Sequence, residues 1–228
     1  MSDGVTNLRL YLDSADTSLW KKYLSSGIFY GITVNPKLLR MAEVECSLEA
    51  LTSLAETAFE LGANELHLQV WGESSDAWLQ VGRQLAAIDQ RVMVKVPLTK
   101  DGVLCANQLI AEGTGVTLTA VHATYQVLTA ISLDAHYIAP YLGRMVDAGQ
   151  DGLKEVIAMQ QIIDTTGSSI RLLVASIRQI DDLVTLAQQG ISCFTLSPEI
   201  VDELLTNDLS QRATDAFEID AQWSSNSH

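Results

Sequence analysis

With 28 Asp plus Glu against 14 Lys plus Arg, this 228-residue chain carries a net charge of −14. That balance argues against nucleic acid or an anionic membrane as the main partner, but not against a small phosphorylated ligand held by a few local cations. At 47% hydrophobic and 18% charged residues, with no run of membrane-spanning length, the composition suits a globular protein of one α/β barrel or two small domains. The first predicted strand, residues 8–13, ends in Asp13, and Ser14-Ala15-Asp16 caps a helix to about Ser25 that Gly27 stops. A second strand, 28–33, runs into Asn35-Pro36. A helix after Ser47 then carries Leu48, Leu51, Leu54, Ala55, Ala58 and Leu61 on one face before Gly62. The third strand, 65–70, precedes a helix over about 74–88. The fourth, Val92–Pro97, alternates branched residues and closes on a proline, with a helix over 101–112 behind it. The fifth strand is 115–120, with a helix over about 123–133. The sixth is 135–141, followed by a glycine-broken loop and a helix over about 152–165. The seventh, 170–176, precedes a helix over 178–189, and the eighth, 192–196, leads into a helix that Pro198 opens and that ends near Leu205. A last amphipathic helix covers about 209–223, and the tail to His228 reads as frayed.

Eight strands alternating with eight helices over short connections predict one (β/α)8 TIM barrel. The barrel occupies about residues 8–206 of a single domain spanning 1–228, and 209–223 form an extra C-terminal helix. A doubly wound sheet would have fewer strands and a glycine-rich first turn, and no G-x-G-x-x-G occurs. Cys46, Cys105 and Cys193 are odd in number, lack metal-type spacing and lie in apolar contexts, so they read as reduced, buried residues of a cytoplasmic protein. Met1-Ser2-Asp3-Gly4 lacks the basic and apolar regions of a signal peptide.

Within the fourth strand stands Lys95, in a run apolar enough to be covered on both faces. Desolvation there disfavours the charged ammonium and favours an amine able to attack a carbonyl. The alternative is an edge lysine whose stem packs while its head reaches water. In a barrel of this kind chemistry gathers at the C-terminal strand ends. Those ends deliver Asp13, Thr33 with Asn35, Gln69, Lys95, Thr119, Tyr141, Ser176 and Ser197. Helix capping is the ordinary role for Asp13, Thr33 or Ser197 taken singly, whereas Lys95 and Gln69 are poor caps. The alternating positions deeper in the barrel read as mostly Leu, Val, Ile and Ala.

A Schiff-base enzyme needs a proton shuttle, and Asp13 is the best carboxylate on this rim. Gln69, Thr119 and Tyr141 are placed to hold a water near an iminium nitrogen. Arg144 after strand six, and Arg178 read at a helix start beyond Ser176, offer a phosphate site. His67, His122, His136 and His228 show no ligand-pair spacing, which makes metal-dependent aldol chemistry unexpected, and His67 reads as a barrel filler with a polar tip.

Six motifs carry a family resemblance. Leu10-Tyr11-Leu12-Asp13, Gly31-Ile32-Thr33-Val34-Asn35-Pro36, Val94-Lys95-Val96-Pro97, Ala111-Glu112-Gly113, Tyr137-Ile138-Ala139-Pro140-Tyr141 and Val174-Ala175-Ser176 resemble the transaldolase family in order along the whole chain. Phe217-Glu218, Asp220 and Trp223 fit as well. The likeness is nearest to the short branch holding the small transaldolases and fructose-6-phosphate aldolase. It implies Lys95 as the Schiff-base lysine and Asp13 as the proton-transfer residue. It also implies Thr33 and Asn35 on the ketose, and Arg144, Ser176 and Arg178 on phosphate. The implied reaction moves a dihydroxyacetone unit from a ketose phosphate to an aldose phosphate, as in the pentose phosphate pathway, with no metal or organic cofactor. A homo-oligomer, decamer or pentameric ring, with the C-terminal helix packed on a neighbour, is implied too. Transaldolases typically carry Glu and Phe where this chain has Gln69 and Tyr141, a pair similar to the aldolase that releases free dihydroxyacetone. Val34 and Gly143 depart from that aldolase pattern. A sugar-phosphate-binding barrel without catalysis is the competing class.

Overall fold

The computed structural model describes residues 8–225, with side chains described to residue 222. Met1 to Gly4, His228 and the side chain of Trp223 lie outside the described residues. Eight parallel strands close in sequential order into a barrel. They are β1 (Arg9–Asp13), β2 (Phe29–Thr33), β3 (Glu65–Gln69), β4 (Val92–Pro97), β5 (Val116–Val121), β6 (Tyr137–Pro140), β7 (Arg171–Val174) and β8 (Cys193–Leu196), and β8 pairs back onto β1. The helices are α1 (Thr17–Leu24), α2 (Pro36–Met41), α3 (Leu48–Glu60), α4 (Ser75–Ala86), α5 (Lys100–Ala111), α6 (Gln126–Ser132), α7 (Leu142–Asp147), α8 (Gly152–Thr166), α9 (Ile180–Gln188), α10 (Pro198–Leu205) and α11 (Asp208–Ser225).

Helix starts follow local side-chain chemistry. Asp16, Asn35, Ser47, Ser74, Thr99 and Asp151 each stand at an N-cap and accept a backbone N–H of the first turn. Losing one such cap costs about 1 kcal/mol. Two helices differ from the sequence expectation. α7 occupies the stretch that reads as a glycine-broken loop and α2 a stretch with no assigned element, because six residues are too short for an apolar stripe to show its period. For α2 the Asn35 cap followed by Pro36 at the first turn was the available signal. Two expected strand ends are also trimmed. β6 stops at Pro140, leaving Tyr141 in an isolated bridge to Ala175, and β7 stops at Val174, leaving Ser176 beyond it.

The largest correction concerns what fills the barrel. Leu12, Ile32, Leu66, Leu68, Val94, Val96, Leu118 and Ile138 are fully buried, and they belong to the cluster shared with the helices. A separate cluster of Tyr11, Tyr137, Ala139, Leu173 and Cys193, backed by Tyr30 and Met93, fills the axis. A strand's period of two separates its faces without saying which one meets the helices, and in a closed barrel both are buried. The aliphatic face looks outward here, and the aromatic and polar face looks in. Gly31 makes room for this packing, since a Cβ on it would stand 3.0 Å from the Tyr11 ring and 2.3 Å from the Glu65 carbonyl oxygen.

Candidate active site

A cavity of about 1000 Å3 opens at the C-terminal end of the barrel. Eight of the predicted site residues line it: Asp13, Asn35, Gln69, Lys95, Tyr141, Arg144, Ser176 and Arg178. Lys95 is only 4% exposed and lies at the cavity's base. Its strand neighbours in register are Gln69 on β3 and Thr117 on β5. Parallel pairing turns register partners to the same side, so the amine, the amide and the hydroxyl share one layer of the interior. Thr33 and Thr119 do not line the cavity. Both are buried behind it, where they hold other groups.

On the β1 side, the Thr33 hydroxyl donates to the Asp13 carboxylate at 2.7 Å and shares a 2.5 Å contact with Thr195. With that proton on Asp13, Thr195 donates to Thr33. Asp13 is thus oriented by one hydroxyl and left with oxygen lone pairs for the cavity. It caps no helix, and neither does Thr33; Asp16 and Asn35 do that work for α1 and α2. Ser197 likewise makes no capping bond and lines the cavity. The Asn35 carbonyl oxygen is spent on the Leu38 N–H at 3.1 Å, which leaves its amide donors for a ligand.

Across the mouth, the Tyr141 hydroxyl lies 2.9 Å from the Thr119 hydroxyl, and the His122 ring packs edge-on against it at 5.5 Å. β5 breaks register between Leu118 and Val121, with Ala120 at φ 58°. The irregularity directly follows Thr119 and turns the chain beside the site, a common use of bulges. Another non-glycine residue at positive φ, Ser176 at 59°, lines the cavity itself. Its carbonyl accepts the Gly143 N–H at 2.9 Å. Arg144 and Arg178 stand exposed at this rim. The Nη atoms of Arg178 donate to both carboxylate oxygens of Asp147. Arg178 precedes α9 by two residues instead of starting it, as the helix opens at Ile180.

Below Lys95 the barrel holds a largely buried polar floor. The Glu65 Oε2 atom accepts from Tyr11 at 2.8 Å and Tyr137 at 2.8 Å, and lies 3.2 Å from His67 Nε2. Arg9 donates to Glu65 Oε1 at 3.1 Å and to the Tyr137 hydroxyl at 2.5 Å, and stacks on the Tyr30 ring at 4.0 Å. Burial works against the Glu65 carboxylate, but hydrogen bonds from His67, Tyr11 and Tyr137 outweigh it and hold the pKa at about 2. Burial pushes His67, wholly enclosed, below its ordinary value and keeps the imidazole neutral. Its Nε2–H then faces the carboxylate, and Nδ1 accepts from Thr117 at 2.9 Å. Burial also raises the Tyr11 phenol, with the charges of Tyr137 and Glu65 adding to the effect.

Comparison with known proteins places the chain in a family. The chain matches the family model for transaldolase/fructose-6-phosphate aldolase over residues 10–228. It belongs to that family. A probable transaldolase of Caulobacter sp. (strain K31) is 29% identical over 210 residues, covering 92% of this chain and 94% of the relative. One from Nitrosopumilus maritimus is 29% identical over 213 residues, with 92% and 93% covered, and one from Methanococcus maripaludis is 25% identical over 210 residues, with 92% and 95% covered.

The chain is therefore an enzyme of the aldolase/transaldolase type. Several residues in and around this candidate site gave no signal in the sequence. Lys22 and Lys37 line the outer cavity, with Lys22 paired to Asp202 at 3.0 Å, yet each reads as an ordinary solvated lysine on a helix. Thr195 sits mid-strand in β8 and shows its role only once β1, β2 and β8 are neighbours. Among the described residues, no helix is long and apolar enough to cross a membrane, and no three His, Cys, Asp or Glu side chains are placed to hold a metal ion.

Proposed function

We propose that this enzyme acts through a Schiff base on Lys95, cleaving a ketose phosphate such as fructose 6-phosphate and transferring the lysine-bound dihydroxyacetone unit to an aldose phosphate. The observation that carries this reading is Lys95 itself, buried to 4% exposure yet facing a cavity that Asp13 and Gln69 also line. In the proposed cycle the neutral amine adds to the ketose carbonyl, and the carbinolamine loses water to give an iminium. Asp13 accepts the proton of the C4 hydroxyl as the C3–C4 bond breaks, the electron pair passing into the iminium to leave an enamine on Lys95. Arg144, Ser176 and Arg178 bind the terminal phosphate and Asn35 serves the ketose end, while Thr33, buried behind the cavity, acts through its hydrogen bond to Asp13. Addition of the enamine to an acceptor aldehyde forms the new C–C bond as Asp13 returns its proton to the new hydroxyl, and water then hydrolyses the resulting iminium to free the ketose phosphate and the Lys95 amine.

A second reading is favoured by one specific feature. Tyr141 is anchored by Thr119 and stands with Gln69 at the cavity wall. A phenol and an amide can order the water that protonates the enamine and hydrolyses the iminium, which releases free dihydroxyacetone as an aldolase would. Supplying fructose 6-phosphate with and without erythrose 4-phosphate separates the two. Glyceraldehyde 3-phosphate formed only with the acceptor means transfer, and formation without it means release. Borohydride reduction in the presence of substrate should leave an adduct on Lys95, and an unmodified Lys95 peptide in active enzyme would sink the mechanism. The exposed Leu209, Phe217 and Ile219 of α11 support a homo-oligomer in which this helix packs on a neighbouring subunit. Light scattering of the full chain against one truncated before Asp208 tests that, and an unchanged mass would exclude it.

A further inference from the structure

Gly143 departs from the aldolase pattern, and Asp147 had no role in the site as read from sequence; the geometry gives both a function. Neither residue lines the cavity, and both stand behind its phosphate end on α7. A Cβ on Gly143 would lie 2.7 Å from Arg178 Nε, 3.0 Å from Ser176 Oγ and 2.6 Å from the Ser176 carbonyl oxygen. No side chain fits in that space without moving the backbone of Ser176 or the guanidinium. The missing Cβ is what lets Ser176 Oγ and Arg178 Nε converge on one point. The Gly143 N–H further holds Ser176 by its carbonyl at 2.9 Å, in a positive-φ conformation that a serine adopts only under constraint. Asp147 takes both Nη groups of Arg178, so the Nε–H edge takes no part in that pair.

We propose that Gly143 and Asp147 are the positioning residues of the phosphate subsite. Gly143 opens the space in which Ser176 and Arg178 meet, and Asp147 clamps the far edge of the guanidinium so that Nε–H is turned to a phosphate monoester. The proposal rests on the reading of Arg144, Ser176 and Arg178 as phosphate ligands. An opposing effect must be weighed, because the Asp147 carboxylate also repels a phosphate dianion. At an exposed rim that repulsion is screened by solvent and salt. The orientation of a planar donor is not screened, and bidentate geometry is what makes arginine selective for phosphate. Orientation therefore wins.

The test titrates inorganic phosphate calorimetrically into the full-length protein and into its Asp147→Ala, Asp147→Glu and Gly143→Ala variants. Steady-state KM is measured in parallel for fructose 6-phosphate and for unphosphorylated fructose. Asp147→Ala should weaken phosphate about tenfold, with Asp147→Glu recovering most of the loss, because a second carboxylate restores the clamp. Gly143→Ala should weaken it at least as much. The KM for fructose 6-phosphate should rise with these losses while that for fructose holds. Melting temperatures of the Asp147 variants should stay within about 2 °C of the parent, since exposed ion pairs contribute little to stability. Phosphate affinity that is unchanged or tighter in Asp147→Ala, an equal loss for fructose and fructose 6-phosphate, or no phosphate binding by the parent protein would each overturn the proposal. Borohydride labelling of Lys95 by dihydroxyacetone in the parent reports separately on the chemistry. If it is absent while the phosphate pattern holds, the Schiff-base reading fails and the subsite assignment stands.

Discussion

The barrel interior contains two polar regions stacked along one axis, and they use their polarity in opposite ways. At the floor, Arg9, Tyr11, Glu65, His67 and Tyr137 spend their polar atoms on one another. At the mouth, Lys95, Gln69, Asn35 and Tyr141 keep donors or acceptors turned to open space. Among the described residues, no buried side-chain nitrogen or oxygen lacks a partner. Buried polar groups that satisfy one another fix a structure; polar groups that face a cavity are available for a substrate. Thr117 lies at the seam, in register with Lys95 and hydrogen-bonded to His67. On this comparison the mouth should be sensitive in catalysis and the floor in stability.

The largest expected effect tests the mouth. Lys95→Met removes the amine while keeping a flexible side chain of similar length, and turnover should fall by at least ~10^4-fold, or more than about 5 kcal/mol of barrier. Thermal stability should hold or rise, since a buried polar amine is replaced by an apolar group. Retained turnover would place the chemistry elsewhere. The floor supplies the counterpart. Glu65→Ala strips Arg9, Tyr11, Tyr137 and His67 of their common acceptor, and should destabilise by about 3–5 kcal/mol in denaturant unfolding. Below its melting temperature the variant should still form the Lys95 adduct. A variant of full stability that no longer forms the adduct would erase the distinction between floor and mouth.

Acid sharpens the same comparison at somewhat smaller scale. Folding lowers the Glu65 pKa from 4.5 to about 2, so the folded state binds fewer protons than the unfolded chain between those values. Its contribution, about 3 kcal/mol, is complete above the unfolded pKa and drains away as pH falls through this window. His67, also shifted downward by burial, acts with the same sign and begins to reduce stability below its unfolded value near pH 6.5. Unfolding free energies measured from pH 7 to pH 3 should therefore decline, and Glu65→Gln should flatten the lower part of the curve. Parallel curves for both proteins would remove Glu65 from the account.

Much of this was legible in the sequence because it rests on short-range chemistry. Strand and helix alternation, caps such as Asp16 and Ser47, and a lysine inside an apolar strand all lie within a few residues of one another. Lys95, Asp13 and Gln69 could be gathered onto one rim because a barrel turns eight strand ends the same way. What could not be read depends on partners far apart in the chain. Glu65 looks like a strand-edge charge until Tyr11 and Tyr137, 54 and 72 residues away, are brought against it. Thr33 and Thr119 stand near strand ends in the sequence, but their places behind the cavity as buried supports for Asp13 and Tyr141 depend on partners from other strands. The choice of which strand face meets the axis was likewise hidden, since both faces are apolar enough to be covered. Arg178 stood out as a cation, while its partner Asp147 was masked by the glycine-broken stretch that folds into α7.

The smallest expected effect falls on Tyr141, the residue proposed to direct the bound fragment. The Tyr141 phenol is oriented by a hydroxyl that is itself 1% exposed, so its remaining hydrogen-bonding capacity is directed into the cavity. Tyr141→Phe keeps the ring and its edge contact with His122 but removes the group that would order a water. Release of dihydroxyacetone without an acceptor should fall by up to about tenfold, near 1.4 kcal/mol. Transfer to erythrose 4-phosphate bypasses protonation of the enamine, sharing only the final iminium hydrolysis, and should fall less than release does. The measurement is the ratio of free dihydroxyacetone to transferred ketose phosphate at fixed acceptor concentration. A ratio that stays constant would mean that Tyr141, like Glu65 beneath it, serves packing and hydrogen-bond closure. The functional region would then narrow to Lys95, Asp13 and Gln69.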